Sequence, residues 1–257
     1  FAESRQEKKF RPGYDLTLRP PKSVSVLWAL GGPDIAAKVR EAHQAAVDEV
    51  VNYYEHQAVR AREPKSNRRV ETDGIIAAAF DHRTSRAGDP LLHTHVVTAN
   101  MTRFRDKAGE VVWRSVESSN LFEHAKAAGC LYQAHLRHEL VSRLGVKFPP
   151  SNNGHAEIDG IPAAVIDLFS KRRNEIEEEL AATGRTSARS AQVATLETRK
   201  AKDYSVDAET LGERWVEEAA TLGFDQATAQ ACVGGDRAAA LDLVEAERIL
   251  WLLGSPS

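Results

Sequence analysis

A hairpin-like segment that carries His82, His93 and His95 constrains the fold of this chain more than any other part of the sequence. Two strand-like runs, residues 74–82 and 91–101, flank a polar turn that ends in a Gly-Asp-Pro triplet. Two such runs joined by a short turn predict an antiparallel β-hairpin. Because alternate residues of a strand point to the same face, His93 and His95 share one face, and the neighbouring strand can place His82 across from them.

Three imidazoles that converge from two adjacent strands are typical of a divalent-metal site with open coordination positions. Open positions indicate a catalytic metal rather than a structural one. The simpler alternative is that His93 and His95 form a polar strand face and bind nothing, since His-x-His also arises by chance. The third histidine, His82 on the partner strand, is the residue that favours the metal site.

The rest of the sequence predicts an α+β fold in which an antiparallel sheet is flanked by helices. The alternation of apolar and polar residues in 13–30 predicts two extended segments, which two consecutive prolines separate. Apolar residues three and four positions apart predict a helix over 34–58. A short strand is predicted at 110–115, and a long helix from about residue 118 to 144, ending at a glycine.

Beyond residue 161 the sequence has almost entirely helical patterns, with helices predicted at 163–182, 187–201, 207–222 and 237–253. We therefore expect an α+β metal-binding core in residues 1–160 and a helical subdomain in residues 161–257.

Charge is unevenly distributed along a chain whose formal net charge is −3. Residues 1–115 carry 19 Lys and Arg against 15 Asp and Glu, whereas the remainder carries 15 against 22. The half with the histidines is thus the basic half, as a phosphate-binding face requires, although imbalances of this size are common. Two distant cysteines and the lack of a bilayer-length apolar run predict a reducing, cytoplasmic location without membrane insertion.

Basic side chains around the histidines are candidate contacts to nucleic-acid phosphates. Arg83 and Arg86 flank the metal ligands and are the strongest candidates, with an ordinary solvated surface cation as the alternative at each position. The full set comprises Lys22, Arg60, Arg62, Lys65, Arg68, Arg69, Arg83 and Arg86. The segment 171–173 is a further basic candidate. Phe104 or Trp113 can stack a base, although core packing is the expected role of Trp113.

Several motifs occur in an order that is similar to that of one known family. Gly-Tyr-Asp-Leu-Thr at 13–17 is followed by Pro-Lys-Ser-Val-Ser at 21–25. His82 is followed by Thr-Ser-Arg, Asp-Pro, His-Thr-His-Val-Val and Asn-Met within residues 84–101. Phe-Ser-Lys-Arg at 169–172 continues the pattern. On these motifs the chain resembles the MobF-type conjugative relaxases of the TraI/TrwC kind, which are HUH endonucleases.

This resemblance implies the HUH relaxase fold, in which helices pack on one side of an antiparallel sheet and a helical subdomain closes over single-stranded DNA. It implies strand-specific nicking at a plasmid transfer origin through a 5′-phosphotyrosyl intermediate that is later rejoined. His82, His93 and His95 would hold a divalent metal (Mg, Mn or Zn). Asp15 would lie beside them, orient one imidazole and help to accept the tyrosine proton. The implied partners are single-stranded or hairpin DNA of the transfer origin, relaxosome proteins and coupling proteins.

The resemblance also implies that the catalytic tyrosine lies upstream of the Gly-Tyr-Asp motif and outside these 257 residues. No nucleophilic role is assigned to the tyrosines of the chain, which are Tyr14, Tyr53, Tyr54, Tyr132 and Tyr204. A separate N-terminal segment is expected to supply the tyrosine and the first strand of the sheet. We predict that the 257 residues alone bind metal and single-stranded DNA but do not nick.

Two other functions are alternatives to nicking. An unrelated metal-dependent hydrolase would need a glutamate placed to activate water, and the sequence has no His-Glu-x-x-His motif. The second alternative is a relaxase-like single-stranded DNA-binding module without catalysis, and the intact histidines and Asp15 argue against it. The sequence also lacks a phosphate-binding Gly-Lys-Ser/Thr loop, so we predict no ATPase activity.

Overall fold

The structure is a computed structural model, and it describes residues 11–64, 66–150, 154–183 and 207–236. Its strands are β1 (Gly13–Leu18), β2 (Ala61–Arg62), β3 (Arg69–Val70), β4 (Ala77–Thr84), β5 (Pro90–Ala99), β6 (Thr102–Arg105) and β7 (Val111–Arg114). Its helices are α1 (Lys22–Leu30), α2 (Pro33–Tyr53), α3 (Ser118–Glu123), α4 (Ala125–Leu144), α5 (Ala163–Leu168), α6 (Lys171–Thr183), α7 (Ala208–Ala220) and α8 (Gln226–Ala231). The predicted helices at 187–201 and 237–253, Lys65 and Tyr204 lie outside the described residues.

The strands pair in three antiparallel groups, which confirms the predicted α+β fold. The largest sheet has the order β1-β5-β4, and β1 pairs with β5 from Gly13 opposite Ala99 to Leu18 opposite Thr94. Two smaller pairs are β2 with β3 and β6 with β7. The predicted hairpin is confirmed as β4 and β5, and the predicted strand at 110–115 is confirmed as β7.

Side chains along β5 alternate between a buried and a more accessible face. Leu92, Thr94 and Val96 are buried, whereas His93 and His95 are only half-buried on the other face. This is the period-2 pattern from which the strand was predicted. The sheet therefore presents its histidines on the face that a ligand can reach.

The chain forms two compact units that are interleaved in sequence. The first comprises the chain up to Leu18, Val50–Asp81 and Thr94–Gly129, and the second comprises Arg19–Glu49, His82–His93 and the chain from Cys130. Strands β4 and β5 contribute residues to both units. The boundary expected between residues 160 and 161 stays a prediction.

In the first unit, side-chain and backbone hydrogen bonds connect the small strand pairs to α3 and to the π-helical turn Tyr54–Ala58, which extends α2. The Asn120 side-chain amide donates to Ala58 O at 2.7 Å, and Glu117 N donates to Arg60 O at 2.8 Å. The apolar core of this unit includes Val59, Phe104, Val116 and Leu121.

In the second unit, α1 lies at the centre and contacts α5, α7 and α8. Its side chains Val24, Val26 and Leu27 are fully buried. Trp28 of α1 packs edge-on against Trp215 of α7, with ring centroids 5.8 Å apart. Because most side chains of this nine-residue helix are buried, α1 contributes a large part of the hydrophobic core of the unit.

The prediction of a second extended segment within residues 13–30 was wrong, because residues 22–30 form α1. The alternation of apolar residues with serine arises from burial on several sides rather than from a strand with one solvated face. Ser23 Oγ accepts a hydrogen bond from Ile158 N at 2.8 Å, and Ser25 Oγ accepts one from Leu92 N at 3.1 Å. Both serines are fully buried and serve neighbouring backbone groups, so they do not mark a polar face.

The helix predicted over 34–58 is confirmed as α2 with its π-helical extension. The long helix predicted from residue 118 is present but is divided at His124 into α3 and α4. Gly145 adopts a φ of +64°, which ends α4 as predicted because a residue with a Cβ rarely adopts this conformation. Within the described ranges, the helices lack the length and apolar character needed to cross a membrane.

Candidate metal centre

The turn between β4 and β5 brings the two histidine-bearing strands side by side. Ser85 N donates to Asp89 O at 2.9 Å, and Gly88 N donates to Ser85 O at 3.2 Å. Gly88 has a φ of +79°, which explains glycine at this position of the turn. The Ser85 hydroxyl also accepts hydrogen bonds from the backbone N–H groups of Ala87 and Asp89. The turn is thus defined by its own polar side chain and by glycine.

The three predicted histidines lie together in the structure. His82, His93 and His95 each offer one nitrogen, and these three atoms lie within 4.8 Å of one another. His82 Nδ1 is 3.3 Å from His93 Nε2, with the two rings nearly perpendicular. This spacing is compatible with one small cation between the nitrogens, since metal–imidazole bonds are about 2.0–2.1 Å long for zinc.

Two of the histidines are oriented through the ring nitrogen that points away from the cluster. His93 Nδ1 lies 2.9 Å from the carbonyl oxygen of Leu91. His95 Nδ1 lies 2.8 and 2.9 Å from the two carboxylate oxygens of Asp15. Because both partners are acceptors, they favour the tautomer with a proton on Nδ1 and a free electron pair on Nε2. That is the arrangement that presents Nε2 to a metal.

Thr17 is a site residue that the sequence analysis did not identify. Its hydroxyl is 3.1 Å from His95 Nδ1 and donates to Asp15 Oδ1 at 3.4 Å. It pairs directly with His95 across β1 and β5. The signal was present in the sequence, because a residue two positions after Asp15 on a strand shares its face.

The donor set fits the divalent metal that the sequence predicts. Three neutral imidazoles leave the charge of the cation uncompensated and leave coordination positions for other ligands. Imidazole suits zinc, copper and nickel, whereas magnesium prefers oxygen ligands. Of the predicted ions, this set of three imidazole ligands therefore favours Zn²⁺ over Mg²⁺.

The predicted phosphate contacts Arg62 and Arg69 already have partners within the first unit. Arg62 forms an ion pair with Glu117. Arg69 donates to Asn120 Oδ1 at 3.2 Å and lies 3.4 Å from a carboxylate oxygen of Glu123. Hydrogen bonds from a serine hydroxyl and from Arg62 hold the pKa of Glu117 below its usual range, so its negative charge persists next to Arg62.

Arg60 and Arg68 are also engaged locally. Arg60 donates to the backbone oxygens of Val59 and His56 at 2.8 and 3.0 Å. Arg68 lies 3.7 Å from Glu63 in an exposed ion pair. The assignment of these arginines to DNA stays a prediction, and any DNA contact would compete with the interactions that they make now.

Arg83 and Arg86 are exposed and lie nearer to the histidines in sequence. Arg83 follows His82 on β4, so its side chain leaves the opposite face of the strand. Arg86 lies in the turn and lines a cavity of about 310 Å³. The other residues that line this cavity are Ala87, Lys171, Arg172 and Glu175. Three of the five lining residues are cationic, and ion pairs of Arg172 with Glu175 at 3.2 Å and of Lys171 with Glu218 at 2.6 Å partly balance their charge. The excess of positive charge in the lining is suited to an anionic group.

Lys22 does not extend into solvent, contrary to what a phosphate contact requires. Its Nζ donates to the backbone oxygen of Pro90 at 3.0 Å. Burial lowers the pKa of Lys22 to about 8, and the nearby charge of Asp89 opposes this shift. The side chain therefore holds the first residue of β5, whereas its predicted role in binding DNA is untested.

The described tyrosines make their contacts with residues other than His82, His93 and His95. Tyr14 packs edge-on against an exposed phenylalanine, Phe122, with centroids 6.4 Å apart. Tyr53 OH lies 2.7 Å from His124 Nδ1, and burial raises the pKa of Tyr53 and Tyr54. A raised pKa disfavours the phenolate that a nucleophile needs.

Tyr132 is buried against His43, at 2.7 Å from hydroxyl to ring nitrogen, and burial raises its pKa well above the ordinary value. Among possible base-stacking residues, Phe104 is buried. Trp113 is 46% exposed with Arg103 over its ring, so the expectation of core packing was wrong.

Comparison with known proteins places this chain in a family. Residues 2–222 match the model of the TrwC relaxase family. The multifunctional conjugation protein TraI of Escherichia coli is 36% identical over 223 residues, which is 84% of this chain but 12% of TraI. The chain thus spans only about an eighth of that relative.

Solved structures of the conjugative relaxase TrwC are similar at 34% sequence identity. A copper-bound TrwC structure with oriT DNA has a TM-score of 0.76 and covers 87% of this chain and 75% of TrwC. A second, with a 27-mer DNA comprising the recognition hairpin and the cleavage site, also has a TM-score of 0.76 and covers 87% and 78%. With the family match spanning most of its length, this chain belongs to the TrwC relaxase family.

Proposed function

We propose that this chain forms the metal-binding part of a site- and strand-specific DNA transesterase that nicks a plasmid transfer origin and initiates conjugative transfer. The observation that carries the proposal is the convergence of His82, His93 and His95, with Asp15 behind His95, in a member of the TrwC relaxase family. The copper and the oriT DNA in TrwC structures support the same chemistry for this chain.

The three histidines would hold a divalent metal through one nitrogen each. When bound, the metal supplies positive charge to a nonbridging phosphate oxygen and so reduces the repulsion that a nucleophile meets. His93 and His95 are oriented for this by Leu91 O and Asp15. Asp15 is 51% exposed at its side chain, so its carboxylate can also help to accept the proton of the attacking hydroxyl.

The proposed reaction conserves the number of phosphodiester bonds. A tyrosine oxygen forms a bond to the scissile phosphorus and its proton passes to the base, while the bond to the 3′ oxygen breaks and that oxygen takes up a proton. The reverse reaction rejoins the strand. The tyrosine is assigned to the upstream segment that the family resemblance predicts, because the described tyrosines are engaged elsewhere.

Single-stranded or hairpin DNA of the transfer origin is the proposed substrate. Arg86 is its proposed phosphate contact, since Arg86 lines a cationic cavity beside the hairpin turn, whereas a phosphate contact by Arg83, on the face of β4 opposite to His82, stays a prediction. The cellular setting is proposed to be the bacterial cytoplasm, with relaxosome and coupling proteins as partners. The free cysteines Cys130 and Cys232 agree with a reducing compartment.

The test is cleavage of an oriT oligonucleotide by the 257 residues alone and by the same chain joined to the predicted tyrosine-bearing segment. We expect the longer form to produce a nicked strand and a covalent protein–DNA adduct in the presence of Mn²⁺ or Zn²⁺. The 257 residues should bind metal and DNA without forming an adduct.

Histidine variants connect the cleavage to the proposed site. His93→Ala in the longer form should abolish cleavage and metal uptake, whereas the exposed His56→Ala should change neither. Retained cleavage in His93→Ala would reject the site. DNA binding without cleavage in every form would instead indicate the non-catalytic binding module.

A further inference from the structure

The part of β5 that carries His93 extends beyond its partner strand β1. Pairing between the two strands ends at Leu18 opposite Thr94, so residues 90–93 have no β1 residue beside them. Side chains of helix α1 bond to these residues instead. Leu92 N donates to Ser25 Oγ at 3.1 Å, and Lys22 Nζ donates to Pro90 O at 3.0 Å. Side chains of a helix thus replace the hydrogen bonds that a neighbouring strand would supply.

The hairpin turn is held from a second side by the beginning of α6. Asp89 is 1% exposed, and its Oδ2 accepts a hydrogen bond from the backbone N–H of Lys171 at 3.1 Å. Lys171 Nζ lies 3.4 Å from Asp89 Oδ1 and 2.6 Å from Glu218 of α7. A carboxylate at the first turn of a helix is favourable because the backbone N–H groups there lack partners within the helix.

Helix α7 makes a third connection to the turn through Trp215. Its indole Nε1–H donates to Gly88 O at 2.8 Å. Trp215 is 5% exposed and is fixed by its edge-on packing against Trp28. A buried donor of this kind is costly to leave unpaired, so the contact defines where Gly88 lies.

The strand that carries His82 is held by its pairing with β5 and by the hydrogen bond that Thr94 Oγ1 donates to Asp81 Oδ1 at 2.6 Å. Residues 77–83 of β4 are exposed on both faces, and β4 is an edge of the three-stranded sheet. The position of His82 relative to His93 therefore depends on this pairing and on the turn that joins β4 to β5. A shift of that turn would change the distance between the two imidazoles, now 3.3 Å between their facing nitrogens.

We infer that Ser25, Asp89 and Trp215 act as positioning residues for the metal centre, by clamping the β4–β5 turn and the first residues of β5 to α1, α6 and α7 so that His82 and His93 meet at ligand distance. These three residues do not offer ligand atoms to the metal themselves. The inference rests on the proposed metal binding, and it adds that contacts from α1, α6 and α7 help to set the distance between His82 and His93.

Trp215→Phe and Trp28→Phe form a matched pair for the test. Trp215→Phe removes the donor to Gly88 O and retains an aromatic ring against Trp28. Trp28→Phe removes an indole N–H that, among the described residues, has no hydrogen-bond partner. Both exchanges delete the same atoms from the same packed pair, and only the first affects the turn.

The probe is Cu²⁺ alone, added to the untagged 257-residue chain, with affinity from competitive titration and site geometry from electron paramagnetic resonance. His93→Ala defines the background from other histidines. We expect Trp215→Phe to lower the Cu²⁺ affinity about tenfold and to change the parallel hyperfine splitting, as substitutions behind metal ligands do. Trp28→Phe should match the wild type in both measurements.

Asp89 and Ser25 provide independent variants. Asp89→Ala should weaken Cu²⁺ binding, and Asp89→Asn, which keeps an acceptor for Lys171 N, should restore part of the affinity. If Trp215→Phe fails to fold by circular dichroism, Ser25→Ala takes its place, with the same expected loss. A folded variant whose affinity and spectrum equal those of the wild type overturns the clamp. Wild-type binding no stronger than that of His93→Ala overturns the metal site itself, and the clamp with it.

Discussion

The β2–β3 pair and the β4–β5 hairpin are both antiparallel elements that carry basic or imidazole side chains, but they differ in where those side chains find partners. Around β2 and β3, Arg62 pairs with Glu117, and Arg69 pairs with Asn120 and Glu123. In the β4–β5 hairpin, three imidazoles instead converge on one another. The arginines of the first element already have acceptor partners among residues 117–123, whereas the second element brings three electron-pair donors together.

This difference indicates which element is built for a ligand. An arginine beside a carboxylate and an amide gains little from a new anion, because the existing contacts must first be broken. Leu91 O and Asp15 hold the outward-facing Nδ1 atoms of His93 and His95. Both rings therefore present Nε2 for binding before any ligand arrives. The positions of basic residues therefore locate the site less well than the contacts that each side chain already makes.

The largest expected effect is on metal binding, which should depend on the β4–β5 hairpin and not on the β2–β3 pair. His95→Ala should abolish site-specific binding of Zn²⁺ or Cu²⁺, because two imidazoles cannot complete the three-ligand set. Arg69→Gln should leave metal binding unchanged and lower the free energy of unfolding by only about 0.5–1 kcal/mol, through the loss of surface contacts. Calorimetric titration and thermal unfolding measure both quantities. Equal metal affinity in wild type and His95→Ala would remove the distinction between the elements.

A smaller effect is expected at Asp15, which acts through His95. Asp15→Asn keeps an acceptor for His95 Nδ1 but loses the negative charge, so metal affinity should fall about tenfold rather than disappear. Asp73→Asn is the control, since Asp73 is a comparably exposed carboxylate that pairs with Arg103 outside the site. Both variants are titrated with Zn²⁺ at the same pH. An unchanged metal affinity in Asp15→Asn would show that the charge of Asp15 does not act on the metal site through His95.

The hairpin and its histidines were predictable because their signals are local in sequence. A period-2 pattern, a glycine-containing turn and His-x-His all lie within residues 74–101. Asp15, by contrast, reaches His95 across 80 positions of sequence. Only the family resemblance brought these two residues together, since a pattern within one strand does not reveal which strand pairs with it.

The errors have a common physical cause, which is that tertiary contacts decided what the local pattern left open. Ser23 and Ser25 looked like a polar strand face because their buried backbone partners, Ile158 N and Leu92 N, are distant in sequence. Trp113 was expected in the core, whereas it lies 46% exposed on β7. Glu117, which engages Arg62, is likewise 55 positions away.

The smallest expected effect is on DNA affinity and its salt dependence, which test the same comparison between the two elements. Arg86 lines the cationic cavity beside the hairpin turn, so Arg86→Gln should weaken binding of a single-stranded oligonucleotide and reduce the slope of log affinity against log salt by about 0.7. Arg62→Gln removes an arginine already paired with Glu117 and should leave that slope unchanged. Fluorescence anisotropy across a salt series measures both slopes. If Arg62→Gln reduces the slope as much as Arg86→Gln, the ion pair opens on DNA binding, and the β2–β3 pair contributes to the nucleic-acid surface after all.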